Sequence, residues 1–363
     1  MIIRALLLIS VFSSLAIFAG VRFSLLLGLG LLIGFCLERS GFGFAGPWRR
    51  FILDRDGRGI MAQLLAIGLT AIAIQPLIAS APGTLIGAIA PISISMIAAA
   101  AIFGFAMQLI IGCGSGTLVN AGSGNLLAII ALPLFCVGSF LGTLLMPIAV
   151  EATPHILLSL PVLAGLTGSL AWTLFGLLGI GFLVSRYSKG PLWNKRFLIA
   201  AIILAVLASL HVLVAGQPWG VVYGLGLWVA KGVQAGGLNV ADSAFWSHPI
   251  NAQALRASIL TDTTSLTSLG LIGGSALAAW RISKGMPLIP VIAPWYLLVA
   301  AGAGLLLGIS SRLAFGCNVG ALFSGIASGS IHGWVWLVAG FGGSVAGVSV
   351  REWLWRKATM GVQ

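Results

Sequence analysis

Gly112-Cys113-Gly114-Ser115-Gly116-Thr117-Leu118 interrupts one apolar run, and about two hundred residues later Gly316-Cys317-Asn318-Val319-Gly320-Ala321-Leu322 interrupts another. Both read Gly-Cys-x-x-Gly-x-Leu. The correspondence outlasts the motif, because Gly138-Ser139 with Gly142 follows the first copy and Gly343-Ser344 with Gly347 follows the second at nearly the same offset. An offset held this long predicts an internal duplication, and in a membrane chain repeat halves meet at a midplane site. The expected division is into halves 1–190 and 191–363, with the two cysteine loops at the functional centre.

The chain is a membrane protein on composition alone. Of its 363 residues 59% are hydrophobic and 7% charged, too few charges to clothe a soluble core. Fifty glycines suit close helix contacts in a bilayer. The net charge of +12 does not point to nucleic acid, since the basic residues fall in short clusters between apolar runs and not along one stripe. Lipid is the expected surrounding. Apolar runs occupy roughly 5–20, 23–37, 60–80, 96–112, 125–150, 160–185, 197–215, 219–235, 259–280, 288–310 and 332–350. Several are short and glycine-rich, so about nine to eleven helices are expected, some re-entrant. The prediction is an all-α, polytopic fold with the N-terminal stretch retained.

Basic clusters mark one side. Arg49, Arg50, Arg55 and Arg58 form the first, Arg186, Lys189, Lys195 and Arg196 the second, Arg281 with Lys284 a third, and Arg351, Arg356 and Lys357 the last. The positive-inside rule makes that side, and the C-terminus, cytoplasmic. Segments 82–95, 120–125 and 151–155 lack Lys and Arg and should face the other side or lie within the protein.

Arg312 precedes the second cysteine closely. It reads either as an anion contact or as an arginine reaching to an interface. Asp262 reads as a helix cap, equivalent by offset to Asp54. The four histidines are scattered, no Walker A motif is present, and no Cys/His cluster has metal-site spacing. No metal or cofactor is expected.

Glycines flanking a cysteine let the backbone turn and gather its N–H groups into an anion-binding nest. Half-helices beginning there add partial positive charge. A thiol kept from water stays S–H at neutral pH and offers a soft, weakly hydrated donor. That suits a sulfur-bearing anion, held weakly enough to be released. The alternative for Cys113 and Cys317 is small-residue packing at helix crossings. Cys36 and Cys136, without glycine framing, read as packing residues.

Three stretches resemble the YeeE/YedE family of membrane proteins: Glu38 to Gly46 (Glu-Arg-Ser-Gly-Phe-Gly-Phe-Ala-Gly), Gly112 to Asn125, and Arg312 through Trp334. The resemblance implies a pseudo-symmetric, hourglass-like inverted repeat in the bacterial inner (plasma) membrane. It implies transport of thiosulfate or a related ion, relayed by S–H contacts, and a cytoplasmic sulfurtransferase as partner. Some members are linked to selenium, so a selenium compound is an alternative cargo. Candidate substrate-binding residues are Cys113, Cys317, Gly112, Gly114, Gly116, Gly316, Asn318, Gly320, Gly43 and Arg312. Thiosulfate-transporting relatives carry cysteine at the position of Gly43. Cys36 would stand about 10 Å from it along a helix and does not replace it. No enzyme activity is expected; the competing reading is a membrane thiol–disulfide enzyme using Cys113 and Cys317, although no adjacent base or resolving cysteine accompanies them.

Overall fold

A computed structural model describes residues 2–280 and 293–360. Eight helical stretches among the described residues are long and apolar enough to cross a membrane. The chain is an all-α, multi-pass membrane protein. Arg281 and Lys284, part of the expected basic face, lie outside the described residues.

The first half runs α1 (Ile2–Ala19), α2 (Val21–Ser40), α3 (Ala45–Asp54), α4 (Arg58–Ser80), α5 (Ile94–Ile110), α6 (Gly114–Gly122) and α7 (Leu126–Glu151). Then follow α8 (Leu160–Tyr187), α9 (Lys195–Ala215), α10 (Val222–Ala235), α11 (Pro249–Arg256), α12 (Thr263–Trp280) and α13 (Pro294–Leu313). A widened π-type turn at Asn318–Phe323 leads into the short α14 (Ser324–Ala327), and α15 (Ile331–Met360) closes the chain. Two-residue strands β1 (Ile92–Ser93) and β2 (His155–Ile156) pair antiparallel, Ile92 opposite Ile156.

Polar caps start several helices. Ser93 accepts from Met96 N for α5, Asn125 from Ala128 N for α7, and Asp262 Oδ2 from Ser265 N at 2.7 Å for α12, as the sequence leads one to expect. At the start of α4 it is Asp56 whose Oδ1 accepts from Arg58 N. Asp54, expected to cap a helix as Asp262 does, is instead the last residue of α3.

Large apolar side chains such as Phe175, Leu178, Leu298 and Val338 are exposed, while Gln63, Gln75, Gln108, Asn318, His211 and His332 are buried. That inversion of a soluble protein fits a lipid surrounding. The buried polar groups mostly find partners: Trp48 Nε1 donates to Gln63 Oε1 at 3.0 Å, and Ser169 Oγ to Gln75 Oε1 at 2.8 Å.

The basic clusters gather at one end of the helices. Lys189 N donates to Arg55 O, the Arg196 guanidinium to Arg39 O, and Arg49 pairs with Glu352 at 2.6 Å. The strand pair lies at the opposite end, where Ser95 Oγ meets Thr153 Oγ1 at 3.0 Å. α5 leaves that end toward the basic face with α15 parallel to it, Ala101 against Gly343 and Phe105 against Gly347. α7 runs the other way with α13 parallel to it, Ala131 against Gly304 and Phe135 against Gly308. A Cβ on Gly104 would stand 1.9 Å from Gly340 O, and one on Gly308 2.3 Å from Phe135 O. Only hydrogen fits at these crossings. Segments 82–95 and 151–155 lie at the end away from the basic face, whereas the half-buried Asn120 and the exposed Asn125 share a cavity wall with Arg50 and Arg351, so the expectation that 120–125 avoids the basic side is corrected.

Candidate functional site

The α5–α6 and α13–Asn318 segments are broken helices that enter the interior from opposite faces. Each break is built alike. Gly112 N donates to Met107 O at 3.0 Å and Gly316 N to Ser311 O at 2.8 Å; past the break, Thr117 N donates to Cys113 O and Ala321 N to Cys317 O, both at 2.8 Å. The turn itself is made at Ile111 (φ 51°) and Phe315 (φ 56°), which hold left-handed backbone. This corrects the expectation that the flanking glycines supply the turn. Of the five motif glycines only Gly316, at φ 147°, adopts positive φ.

The glycines serve close approach instead. A Cβ on Gly114 would lie 2.6 Å from Cys317 Sγ, and one on Gly112 2.9 Å from Thr117 Oγ1. Gly116 tolerates a Cβ only in contact with Cys113 Sγ, at 3.4 Å, whereas Gly320 faces open space. The second thiol thus rests on the backbone at the start of α6, and the two breaks meet.

Each cysteine is the residue before a new helical segment. Cys113 Sγ accepts from Gly116 N at 3.4 Å and lies 3.5 Å from Ser115 Oγ; Cys317 precedes the widened turn without a side-chain cap bond. The partly positive ends of both segments therefore converge on the thiols. Both cysteines are free and buried. Beside them Asn318 is fully buried with neither amide atom hydrogen-bonded, a costly state in apolar surroundings.

A cavity of about 400 Å³ has both the basic residues Arg50 and Arg351 and the break residues Cys113, Ser115 and Gly116 in its wall. Its wall includes Gly43, whose carbonyl accepts from Gln63 Nε2 at 2.7 Å. Gly43 has neither positive φ nor any atom within 4 Å of an added Cβ; the left-handed residue of that loop is Gly41. Cys36 lines a separate outer groove with Arg39 and Arg196, and Cys136 is buried on α7.

Arg312 is not in that cavity. Its guanidinium lies 4.9 Å from the Phe245 ring and 5.6 Å from that of Tyr223, and its Nε is buried without a hydrogen-bond partner. An aromatic cage, in place of an interface, holds this arginine. Gln108, which precedes Cys113 by the same five residues as Arg312 precedes Cys317, has Nε2 on Ala45 O at 3.3 Å and Oε1 unpaired.

Sequence reasoning missed Arg50, Arg351 and Glu38, which share the cavity wall with Cys113. In the sequence Arg50 and Arg351 mark only topology, and nothing in their spacing announces that they converge. It also missed the stretch before α10, which carries Val221 to within 3.2 Å of the space beside Gly114.

The sequence model of a family described as Sulphur transport matches residues 39–346. The chain is similar to the "Probable transporter YedE" of Escherichia coli (strain K12), 28% identical over 143 residues. It is also similar to the "Probable transporter YedE" of Salmonella typhimurium, 27% identical over 143 residues. Each alignment covers 39% of this chain and 34% of the relative, so the match spans about a third of the length of these curated relatives.

Proposed function

The chain belongs to the sulphur-transport family, and on that premise we propose that it passes a small sulfur-containing anion, thiosulfate or a close relative, across the membrane where the two helix breaks meet. The observation that carries this reading is the convergence of Cys113, Cys317 and the unpaired Asn318 amide on two helix starts. Helix starts favour the anionic charge, the amide offers donors, and soft thiols contact the terminal sulfur without holding it firmly. Cargo would pass between the cavity on the basic side and the thiols, with Gly43, Gly112, Gly114, Gly116, Gly316 and Gly320 supplying backbone and room. Arg312, in its aromatic cage on the far side of the break, would hold the anion there.

We further infer that the two halves are an inverted repeat. The matched hydrogen bonds at the breaks and the matched glycine contacts of α5 on α15 and α7 on α13 support this. The basic face would be cytoplasmic in a bacterial inner membrane, with a sulfurtransferase receiving the anion there.

The test is uptake of labelled thiosulfate, against sulfate, sulfite and selenite, in cells lacking other routes. Cys113→Ala and Cys317→Ala should abolish uptake at normal membrane levels, and serine should rescue poorly because it holds water more strongly. Cys36→Ala and Cys136→Ala should stay within about twofold, as packing residues do. Parental uptake of every candidate anion by both Cys113→Ala and Cys317→Ala would end the relay reading.

The closeness of Cys317 to the Cys113 loop is the one feature that favours the thiol–disulfide alternative. That reading requires a reversible bond between the two sulfurs. Mass spectrometry of cells acid-quenched during uptake, then denatured and alkylated, separates the two: a relay leaves both cysteines reduced and so open to alkylation throughout uptake.

A further inference from the structure

We propose that Arg50 and Arg351 form an anion-holding station at the basic end of the cavity, binding divalent thio- and oxyanions one step removed from Cys113. The identity of the transported anion rests on the reading above; the station itself rests on the charges in the wall. Arg351 is only 6% exposed, yet its Nε has no hydrogen-bond partner, and the same is true of the buried Arg50 Nη2. Both line the cavity whose wall includes Cys113.

The neighbouring acids do not satisfy them. Asp56 is held in a fork by Arg58, with both contacts at 2.9 Å, and reaches Arg50 Nε only at 3.7 Å. Glu352 Oε1 is taken by Arg49 at 3.1 and 2.6 Å and meets Arg351 Nη1 at 3.2 Å. Four guanidiniums therefore share two carboxylates. Aromatic rings help orient the two partly satisfied guanidiniums, Trp355 lying 4.9 Å from Arg351 and Phe197 5.8 Å from Arg50.

Planar guanidiniums with spare N–H groups match the oxygens of a small dianion. Glu38, in the same wall, offsets part of the positive charge and keeps the hold weak enough for release. Such a station reads charge and oxygen geometry, so sulfate should occupy it as well as thiosulfate. Discrimination for sulfur is then left to the thiols.

The experiment is calorimetric binding of thiosulfate, sulfate and chloride to the purified full chain in nanodiscs of neutral lipid, alongside uptake in cells. The two dianions should compete, and chloride should bind far more weakly. Arg50→Gln and Arg351→Gln should each weaken thiosulfate binding about tenfold or more, as loss of a charged hydrogen bond does. Arg351→Lys, which keeps the charge but not the fork, should be intermediate and serves if Arg351→Gln does not insert. Cys113→Ala should lose uptake, and Cys136→Ala, outside the cavity wall, should bind thiosulfate within about twofold of the parent. Parental binding by Arg50→Gln together with Arg351→Gln or Arg351→Lys would overturn the station. Parental uptake by Cys113→Ala and Cys317→Ala would instead overturn the relay and leave the station to be judged by binding.

Discussion

Gly43 shows how far a single position can be read. With no positive φ and no atom near an added Cβ, Gly43→Cys should insert and express as the parent does, and a thiol there would face the same cavity as Cys113. If thiosulfate is the cargo, uptake by this variant should rise; a fall in membrane level on immunoblotting would contradict the open geometry. Gly114→Ala should behave oppositely, because its Cβ would stand 2.6 Å from Cys317 Sγ. Asp56 gives a pH signature. Chiefly its bonds from the Arg58 side chain hold its carboxyl below the usual carboxylate range. A carboxyl lowered on folding stabilises fully above its unfolded value, about 4, and that contribution is lost as pH falls through the lower, folded value. The parent should therefore melt above Asp56→Asn at neutral pH, and the gap should close below about pH 4 in thermal scans in detergent. The cysteine loops and the Asp262 cap were legible because short motifs carry their own chemistry. Ile111 and Phe315 were not, since a β-branched or bulky residue ordinarily avoids left-handed backbone and only tertiary packing can hold it there.

Helix crossings extend the argument to elements. α5 on α15 and α7 on α13 approach through glycines whose added Cβ atoms would enter a neighbouring backbone, as at Gly104 and Gly308. Gly302 and Gly342 lie on the same helices, α13 and α15, with nothing within 4 Å. Gly104→Ala and Gly308→Ala should each lower the melting temperature of the detergent-solubilised protein, by an overpacking cost of about 1–3 kcal/mol. Gly302→Ala and Gly342→Ala should leave it unchanged. Equal effects in all four would mean that the glycines act through chain flexibility and not through contact. The sequence displayed the matched spacing of these glycines but not their pairing, because period and offset do not say which of two parallel partners a helix face meets.

On the scale of the whole molecule, the apolar runs located the spanning helices, and the basic clusters located one face. Their alternation left the cavity hidden, since Arg50 on α3 and Arg351 on α15 are brought together only by the full course of the fold. A C-terminal reporter should be active in the cytoplasm, because Arg351, Arg356 and Lys357 sit in the last turns of α15 on that face; activity confined to the periplasm would reverse the orientation. The left-handed turns at Ile111 and Phe315 also bear on energetics. Isoleucine and phenylalanine ordinarily prefer other backbone shapes, so the packing around each break, and not the residue itself, must hold these turns in place. If that packing keeps both rims fixed, a passage between them would only equilibrate an anion and could not drive it uphill. Accumulation would then depend on a chemical sink that consumes the anion as it arrives, so a cell that stops using its sulfur should stop importing it.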